Sequence, residues 1–557
     1  MQNLLRRPLP AWSPYSNPHV SRRINAPTRS GSHCRLPLSK GVLATVLPDL
    51  DYSGSALVRQ VGSGKKILGS FRSSLTPFVP GETLFPMRWN LSHSYLDLPE
   101  LLYTRQKPTP VAAPRMGVFN YELAEELGLE EPADDDLAIL GGNQVPPDAH
   151  PFAQAYAGHQ YAHFTMLGDG RALVLGEHRG PDGRLHDLQL KGSGPTPYSR
   201  SGDGRAALGP MLREYLMGEA MHALAIPSTR ALAVVETGEQ VWRETPLSGA
   251  VLTRVAHSHL RVGTFEFVAA TEDRAALQSL TKYAIARHYP QAAWATNPAG
   301  AFLEAVIAAQ ARLVAQWMAV GFVHGVMNTD NMAISGQTID YGPCAFLDTY
   351  RAGQVFSSID RRGRYAYGNQ PGIAQWNLTR LAEALLPLID PDQERAVALA
   401  EPMIQAFADQ YRRHYYTLMA TKLGLEKGEG KEALVDELLV WMEETGADYT
   451  STFRALTDTM SLPAAPEAWL ERWRASVIKD GGFEAALERM ATNPVYIPRN
   501  HKVQQALDAA EAGDYAPFHA LVELLKSPFT PLPGFEAFAD PPNPDQTAEP
   551  FVTYCGT

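Results

Sequence analysis

Cysteine is scarce in this chain, which has three among its 557 residues: Cys34, Cys344 and Cys555. That number is too small for a disulfide-built scaffold, so the fold has to rely on an ordinary hydrophobic core. Cys344 lies in a motif-rich segment, and Cys555 is third from the end of the sequence. A reversible bridge between them is compatible with the sequence, and so are a buried thiol and an independent tail thiol.

Long apolar runs are lacking as well. The most apolar stretch, residues 301–320, is interrupted by Glu304, Gln310, Arg312 and Gln316. This pattern is typical of a helix with one polar face and not of a membrane span. We therefore expect no membrane association and a cytoplasmic location.

Positive charge is deficient over most of the chain. Residues 1–80 contain eleven lysines and arginines against Asp49 and Asp51, whereas the whole chain has a formal net charge of −11. An acidic body argues against nucleic acid as a partner. The basic head is rich in Pro, Ser, Gly and Arg, which is typical of a disordered extension, a misassigned start, or a transit peptide that would direct the protein to mitochondria.

The remaining chain divides by pattern. Residues 85–245 predict an antiparallel sheet with one important helix, residues 246–480 predict a larger helical part, and residues 481–557 predict a helical extension that ends in the tail. The fold class is therefore predicted to be α+β. Within the sheet region, strands are expected in residues 166–178 and 185–192, a helix in 210–224, and two strands joined at Gly238 in 232–243. The helices are expected at residues 273–288, 300–320, 377–388, 392–424, 431–445, 465–476, 501–512 and 516–526.

The stretch 321–348 carries most of the chemical signal. Asp330 and Asn331 precede an apolar run, expected to be a strand, that leads into Asp340-Tyr341-Gly342. Loop carboxylate and amide oxygens suit Mg²⁺, a hard cation that binds one or two carboxylates together with substrate phosphates. Protein kinases place an Asp and an Asn before an Asp-Phe-Gly turn for this purpose. The order matches here, although the kinase Asn lies five residues beyond its Asp and here it is adjacent.

Lys191 ends an alternating strand pattern, and Glu214 follows in the helix that starts near Pro210. A lysine on a strand that pairs with a glutamate on a helix is how kinases hold the α- and β-phosphates. A solvated lysine is the simpler interpretation, and Glu219 is a competing partner.

Two glycine-containing segments resemble phosphate-binding turns. Gly168 and Gly170, followed by Arg171, could form an anion-binding nest, although a plain hairpin turn is the favoured interpretation of the glycines alone. Asp203 and Gly204 lie in a loop that predicts either a lid over a nucleotide or an ordinary surface loop.

Arg254 and Arg261 are seven residues apart, which is two turns if the segment is helical. They would then share a face and could clamp a phosphate tail, or they could form ordinary ion pairs.

Taken together, these stretches resemble the selenoprotein O family of pseudokinases. The matching segments are residues 157–164, 190–220, 249–267, 324–332, 339–348 and 493–507. The resemblance implies a protein kinase-like bilobal fold. It also implies a protein adenylyltransferase that moves AMP from ATP to Ser, Thr or Tyr hydroxyls of other proteins, with UTP as a second nucleotide in some bacterial relatives.

The resemblance also implies roles for individual residues. ATP would bind in an orientation reversed relative to kinases, with Asp330 as the base. Mg²⁺, or Mn²⁺, would be held by Asn331 and Asp340. The residues expected to contact the nucleotide are Gly168, Gly170, Arg171, Lys191, Asp203, Gly204, Arg254, Arg261 and Asp340, with Glu214 holding the lysine.

The family often carries selenocysteine at the position of Cys555, which implies a redox-controlled bridge to Cys344. Two rival functions remain compatible with the same residues. One is a conventional protein phosphotransferase, and the other is a non-catalytic nucleotide-binding scaffold that signals redox state through its tail.

Overall fold

The computed structural model describes residues 88–426, 430–543 and 551–553. The predictions for residues 1–80 and for Cys555 lie outside the described residues. The described part of the chain is α+β, with an antiparallel sheet in its N-terminal part and helices in its C-terminal part.

The sheet follows the strand order β2-β4-β6-β7-β10-β9-β3, with β1 on β6, β5 on β4 and β8 on β10. Its paired strands are antiparallel. The strands are β1 (Leu91–Ser92), β2 (Tyr103–Arg105), β3 (Arg115–Phe119), β4 (Phe152–Gln160), β5 (His163–Gly168), β6 (Ala172–Arg179), β7 (Leu185–Lys191), β8 (Ala206–Ala207), β9 (Arg230–Trp242) and β10 (Pro246–Ala256). The sheet thus continues through β10, beyond residue 245.

The helices of the described residues fall mostly after the sheet. They are α1 (Tyr121–Leu127), α2 (Asp134–Leu140), α3 (Leu208–Ala223), α4 (Val262–Ala270), α5 (Arg274–His288), α6 (Pro298–Val320), α7 (Gln370–Ile389), α8 (Gln393–Lys422), α9 (Glu432–Thr445), α10 (Tyr449–Thr459), α11 (Glu467–Lys479), α12 (Gly482–Met490), α13 (Asn500–Glu511) and α14 (Ala516–Leu525). A short strand pair, β11 (Phe322–Val323) and β12 (Ala345–Phe346), closes the motif-rich stretch.

The pleat of the sheet decides which side chains face the core and which face the site. Leu188 and Leu190 of β7 are fully buried in a core that also contains Leu123 and Leu127 of α1. Successive side chains of a strand point to opposite faces, so Lys191 lies on the other face. The register pairs Leu252 with Lys191 and Arg254 with Gln189, which puts Lys191 and Arg254 on the same face.

Helix α6 combines the length and the hydropathy that a membrane span requires. In this structure 67% of its most apolar window is buried inside the protein. It is accordingly a core helix, and the polar residues noted in the sequence lie along it.

Helix α3 is held from two sides. Its inner side packs on the sheet through Leu212 and Leu216, which are fully buried. On its other side the ring centroid of Tyr215 is 6.1 Å from that of Phe518 in α14, and the α13 carboxylate of Glu511 lies close against Gly209. The C-terminal helices therefore fix the helix that carries Glu214.

The helices predicted after residue 270 are confirmed, with boundaries shifted by a few residues and α7 starting well before residue 377. The prediction of two strands in residues 232–243 was wrong, because β9 is one strand. Glu236 faces Ala250 and Gln240 faces Ser248, so the strand bulges around Gly238, whose φ of 70° lets the chain pass without breaking.

Two local predictions near the site were also wrong. Arg254 and Arg261 do not share a helix, because Arg254 is on β10 and Arg261 precedes α4. The apolar run before Asp340 is not a regular strand, since it makes only the isolated bridges of Ala333 with Arg261 and Thr338 with Ser228. The backbone around Arg261 therefore lies beside the apolar run before Asp340, where a regular sheet would have a neighbouring strand.

Candidate active site

A cleft of about 710 Å³ collects the polar residues that the sequence singled out. Its lining includes twelve of them: Gly168, Gly170, Arg171, Lys191, Asp203, Gly204, Glu214, Arg254, Arg261, Asp330, Asn331 and Asp340. Cys344 is not among the lining residues, although its neighbour Pro343 is. One cavity therefore brings together residues that come from the sheet, from α3 and from the 321–348 stretch.

Lys191 lies between two carboxylates. Its Nζ donates to Glu214 Oε2 at 2.6 Å and to Asp340 Oδ1 at 3.0 Å. Glu219, the competing partner, is instead bound to Arg230 at 2.6 Å. The structure thus pairs Lys191 with Glu214 and links both to Asp340.

Two arginines complete the cluster. Arg254 donates to Glu214 Oε1 at 2.7 Å and to Asp340 Oδ1 at 2.5 Å. Arg261 is 3.6 Å from Asp340 Oδ2, and its guanidinium lies 4.4 Å from the centroid of the Tyr156 ring. The side chains of Arg254 and Arg261 are 2% and 4% exposed, so these charges sit at the closed end of the cleft.

This charge balance controls the ionisation of the two acids. Burial alone would raise the pKa of Asp340, but Arg254, Lys191 and Arg261 outweigh it and hold that pKa well below its usual value. Burial likewise opposes ionisation of Glu214, and Arg254 and Lys191 lower its pKa overall. Both acids are therefore carboxylates at neutral pH, and three cations surround two anions.

Asp340 also has an unusual backbone. Its φ is +62°, in the left-handed region that non-glycine residues seldom occupy. Asp and Asn are the residues that tolerate this conformation best, because their short side chains bond locally. The side chain is thereby turned back toward the three cations.

Asp330 lies in a short 3₁₀ turn, Thr329–Asn331, next to the end of β4. Gly158 of β4 leaves the room for its carboxylate, because a Cβ at Gly158 would overlap Asp330 Oδ1. Burial raises the pKa of Asp330 to about 6, and Oδ1 has no hydrogen-bond partner among the described residues. Asp330 is thus a carboxylate of increased basicity with one oxygen still able to accept a proton.

The residues expected to hold a metal fit Mg²⁺ only together with a substrate. Asn331 uses its amide nitrogen to donate to the Val326 carbonyl at 3.1 Å, which leaves the amide oxygen for the cleft. No group of three His, Cys, Asp or Glu side chains placed for a metal occurs in the described residues. A site built on Asn331, Asp340 and phosphate oxygens matches the preference of Mg²⁺ for few protein ligands.

The open end of the cleft is formed by the glycine turn and the loop that follows β7. The ring of Tyr198 lies where a side chain of Gly168 would be, and Thr196 Oγ1 donates to the Asp169 carbonyl at 2.6 Å. Asp203, with a side chain 44% exposed, accepts from Arg243 at 2.9 Å. The loop therefore packs down onto the glycine turn, with Asp203 near its rim.

Cys344 is completely buried behind this cleft, and burial raises the pKa of its thiol to about 11. The tail approaches it, because Thr553 Oγ1 donates to the Pro343 carbonyl at 2.8 Å. Thr553 is two residues before Cys555.

Several cleft residues were not predicted from the sequence. Tyr156 supports Arg261, Arg243 binds Asp203, and Gln189 Oε1 accepts from Arg254 at 3.4 Å. Asp169 is buried and accepts from the Gln154 backbone at 3.0 Å. Asp169 lies inside the glycine motif, where only the glycines and Arg171 were considered, whereas the others have no local sequence signal.

Comparison with known proteins identifies the family of this chain. Residues 87–526 match the model of one protein family, described as "Protein adenylyltransferase SelO". The chain belongs to the SelO family. The family resemblance predicted from the sequence is confirmed.

Curated bacterial relatives are named "Protein nucleotidyltransferase YdiU". The protein from Geobacillus kaustophilus is 54% identical over 482 residues, which cover 84% of this chain and 99% of that protein. The one from Nitrosococcus oceani is 52% identical over 484 residues, covering 84% and 97%. This SelO family member is accordingly an enzyme of the nucleotidyltransferase class that uses a nucleotide substrate.

Glu214 and Glu219 provide a matched pair for testing the charge cluster. We expect Glu214→Gln to weaken nucleotide binding and slow nucleotidyl transfer at least about tenfold, because Lys191 and Arg254 lose the carboxylate that positions them. Glu219→Gln removes an equally buried carboxylate whose partner, Arg230, lies outside the cleft. It should cost stability but leave the nucleotide Kd unchanged.

The measurements are a nucleotide titration by calorimetry and a thermal melt of each variant. Equal loss of nucleotide affinity in both variants would contradict a specific role for Glu214.

Proposed function

We propose that this SelO family member is a protein adenylyltransferase that transfers AMP from ATP to Ser, Thr or Tyr hydroxyls of other proteins. The observation that carries the proposal is the convergence of Lys191, Arg254 and Arg261 on Asp340 at the closed end of the cleft. The acid taken as the base, Asp330, lies along the same wall.

Three buried cations supply more positive charge than the single lysine with which kinases hold the α- and β-phosphates. They suit the β- and γ-phosphates of a triphosphate that enters the cleft with its γ-phosphate first. The α-phosphorus then faces the acceptor, and pyrophosphate becomes the leaving group. Fixed positive charge at the leaving group stabilises the negative charge that develops there.

The kinase-like interpretation of the fold is supported by the order of the parts. A strand lysine (Lys191) is paired with a glutamate of the following helix (Glu214), and an Asp-Asn pair and an Asp-Tyr-Gly turn come later in the chain. Buried His324 donates from Nε2 to the Ile339 carbonyl at 3.0 Å. This bond joins the segment before Asp330 to the one before Asp340.

The reaction asks little covalent chemistry of the protein. The acceptor oxygen bonds to the α-phosphorus, the bond from that phosphorus to the bridging oxygen breaks, and Asp330 accepts the hydroxyl proton. Asn331 and Asp340 would hold Mg²⁺ or Mn²⁺, which supplies charge neutralisation for the phosphate oxygens when bound. The protein's own contribution is to position the triphosphate and to keep Asp330 basic.

Labelled nucleotides test the transferred group. Incubation with ATP labelled at the α-phosphorus should label protein, and ATP labelled at the γ-phosphorus should not. Intact mass should show addition of AMP. Label that enters only from the γ position would identify a phosphotransferase instead, and binding of ATP without either label would identify a scaffold. The same assay with α-labelled UTP measures use of the second nucleotide.

The pKa of Asp330 predicts how the transfer rate falls at acidic pH, the acidic limb of the pH–rate profile. The carboxylate form accepts the proton, so the transfer rate should fall about tenfold per pH unit below about pH 6. Asp330→Asn should slow transfer strongly and abolish this limb. Asp436→Asn serves as the control, because burial also raises the pKa of Asp436 to about 6 but this residue lies on α9, outside the cleft lining. A limb that persists in Asp330→Asn would contradict the assignment.

We also propose that a Cys344–Cys555 disulfide regulates the enzyme. The tail supports this, because Thr553 pairs with Phe356 and Ser358 and reaches Pro343 beside Cys344. Two residues span at most about 7 Å, so Cys555 is within reach of the site's edge. Since the Cys344 thiol is buried, the bridge can form only when the structure around Cys344 opens. The two thiols then pass two electrons and two protons to an oxidant such as a small disulfide.

Nonreducing peptide mapping after oxidation checks the bridge. A peptide that links Cys344 to Cys555 should appear, vanish on reduction and be absent from Cys555→Ser. Two alkylatable thiols after oxidation would argue against it.

The bacterial relatives favour the cytoplasm over the mitochondrial alternative for this chain.

A further inference from the structure

An arginine-rich surface lies next to the turn Thr329–Asn331, which contains Asp330 and which we name the catalytic turn. Between residues 349 and 382 the sequence has five arginines and one acidic residue, Asp360, although the chain as a whole carries a net charge of −11. Three of these arginines fall in residues 359–364, Ile359-Asp360-Arg361-Arg362-Gly363-Arg364, which we name the arginine segment. Neither the proposed chemistry nor nucleotide binding uses these arginines.

The fold of the arginine segment exposes its cations and hides its acid. Asp360 is 4% exposed and accepts from the backbone N–H groups of Arg364 at 2.9 Å and Tyr365 at 2.8 Å. Arg361 and Arg362 are exposed. Within the described part of the chain, neither of them has a carboxylate at ion-pair distance. The segment therefore presents positive charge that no carboxylate of the described residues pairs with.

Two sets of contacts connect this surface to Asp330. The Tyr365 hydroxyl donates to Asn328 Oδ1 at 2.5 Å, and Asn328 is two residues before Asp330. Ile359 is 54% exposed and lines the same cleft as Asp330. The arginine segment accordingly starts at the mouth of the cleft, and Tyr365, the residue after it, contacts the residue that precedes the catalytic turn.

Trp376 holds two cations in place, Arg364 of the segment and Arg380 beside it. The guanidinium groups of Arg364 and Arg380 each lie 4.9 Å from the centroid of its indole ring. The His159 ring packs against Trp376 at 5.3 Å, and the His159 backbone N–H donates to Thr329 Oγ1 at 2.7 Å. Packing against Trp376 therefore orders Arg364, and Trp376 connects it through His159 to the catalytic turn.

We propose that Arg361, Arg362 and Arg364 dock acidic residues that flank the modified hydroxyl in acceptor proteins. The proposal rests on the proposed function, and it adds the substrate class: segments in which Ser, Thr or Tyr is neighboured by Asp or Glu. Guanidinium groups suit carboxylates because their planar donors match the two oxygens. The local positive charge would also favour this surface over the acidic remainder of the protein as the place where an acidic acceptor docks.

A nucleic acid is the less favoured occupant. The surface is small, and the rest of the chain is acidic, which opposes the extended phosphate contacts that nucleic-acid binding needs. Arg361 and Arg362 do not line the nucleotide cleft, so they are not a continuation of the phosphate site.

The test uses the full chain and three fluorescent peptides. Each peptide has one central threonine and differs only in its flanking residues, which are glutamate, glutamine or lysine. Fluorescence anisotropy in the presence of α,β-methylene ATP measures binding, and labelling from α-labelled ATP measures transfer. We expect the glutamate peptide to bind about five- to tenfold more tightly than the glutamine peptide, as expected for a few partly exposed ion pairs. The difference should shrink at high salt.

The variant pair Arg361→Glu/Arg362→Glu should abolish the preference for glutamate and improve binding of the lysine peptide, with the nucleotide Kd unchanged. Arg412→Glu/Arg413→Glu is the matched control, because it places the same charge change on two exposed, adjacent arginines of α8. It should keep the preference for the glutamate peptide.

Three results would overturn the docking surface. They are equal binding of the three peptides, equal loss in both double variants, and an RNA oligonucleotide that outcompetes the glutamate peptide and depends on Arg361 and Arg362. Because anisotropy does not require chemistry, the docking proposal is decided even if no AMP is transferred. Absence of transfer to every peptide and protein would instead count against the adenylyltransferase proposal.

Discussion

The site depends on one partly buried carboxylate, Asp340, that is held by cations from three separate places. Lys191 comes from β7, Arg254 from the neighbouring strand β10, and Arg261 from the start of α4. An isolated charge at this depth would be costly to bury, and only the convergence of opposite charges makes it tolerable. Because each cation comes from a different element, the sheet, α4 and the 321–348 stretch have to be assembled before the cluster exists.

Glu214 extends the same constraint to the C-terminal helices. It binds both Lys191 and Arg254 from α3, and α3 is packed between the sheet and helices α13 and α14. Arg499, which is 1% exposed, ties Asp348 and Asp448 to the beginning of α13. The last helices of the fold thus contribute to the geometry of a site in which they place no catalytic group.

Much of this site could be predicted from the sequence where the signal is local. The alternating pattern before Lys191 and the helix around Glu214 define a strand and a helix, and their pairing follows from the chemistry of the two side chains. The positions of Asp330, Asn331 and Asp340 follow from their order along one segment. Helices α10 and α12 were missed although α10 has an amphipathic pattern, with Tyr449, Phe453 and Leu456 buried on one side and Asp448 as its N-cap. A shared helix face for Arg254 and Arg261 was considered because their spacing alone does not distinguish two helical turns from a strand followed by a loop. The support of Arg261 by Tyr156 needs β4 and α4 to meet, which no local pattern specifies.

The left-handed backbone of Asp340 bears on how substitutions there should be interpreted. Alanine at this position would remove the charge and also force a residue without a locally hydrogen-bonding side chain into the same conformation, at a cost of roughly 1 kcal/mol. Asparagine accepts that conformation, so it deletes the anion while leaving the turn in place. A defect seen with alanine therefore mixes conformational strain with lost electrostatics, and only the comparison with asparagine separates the two contributions.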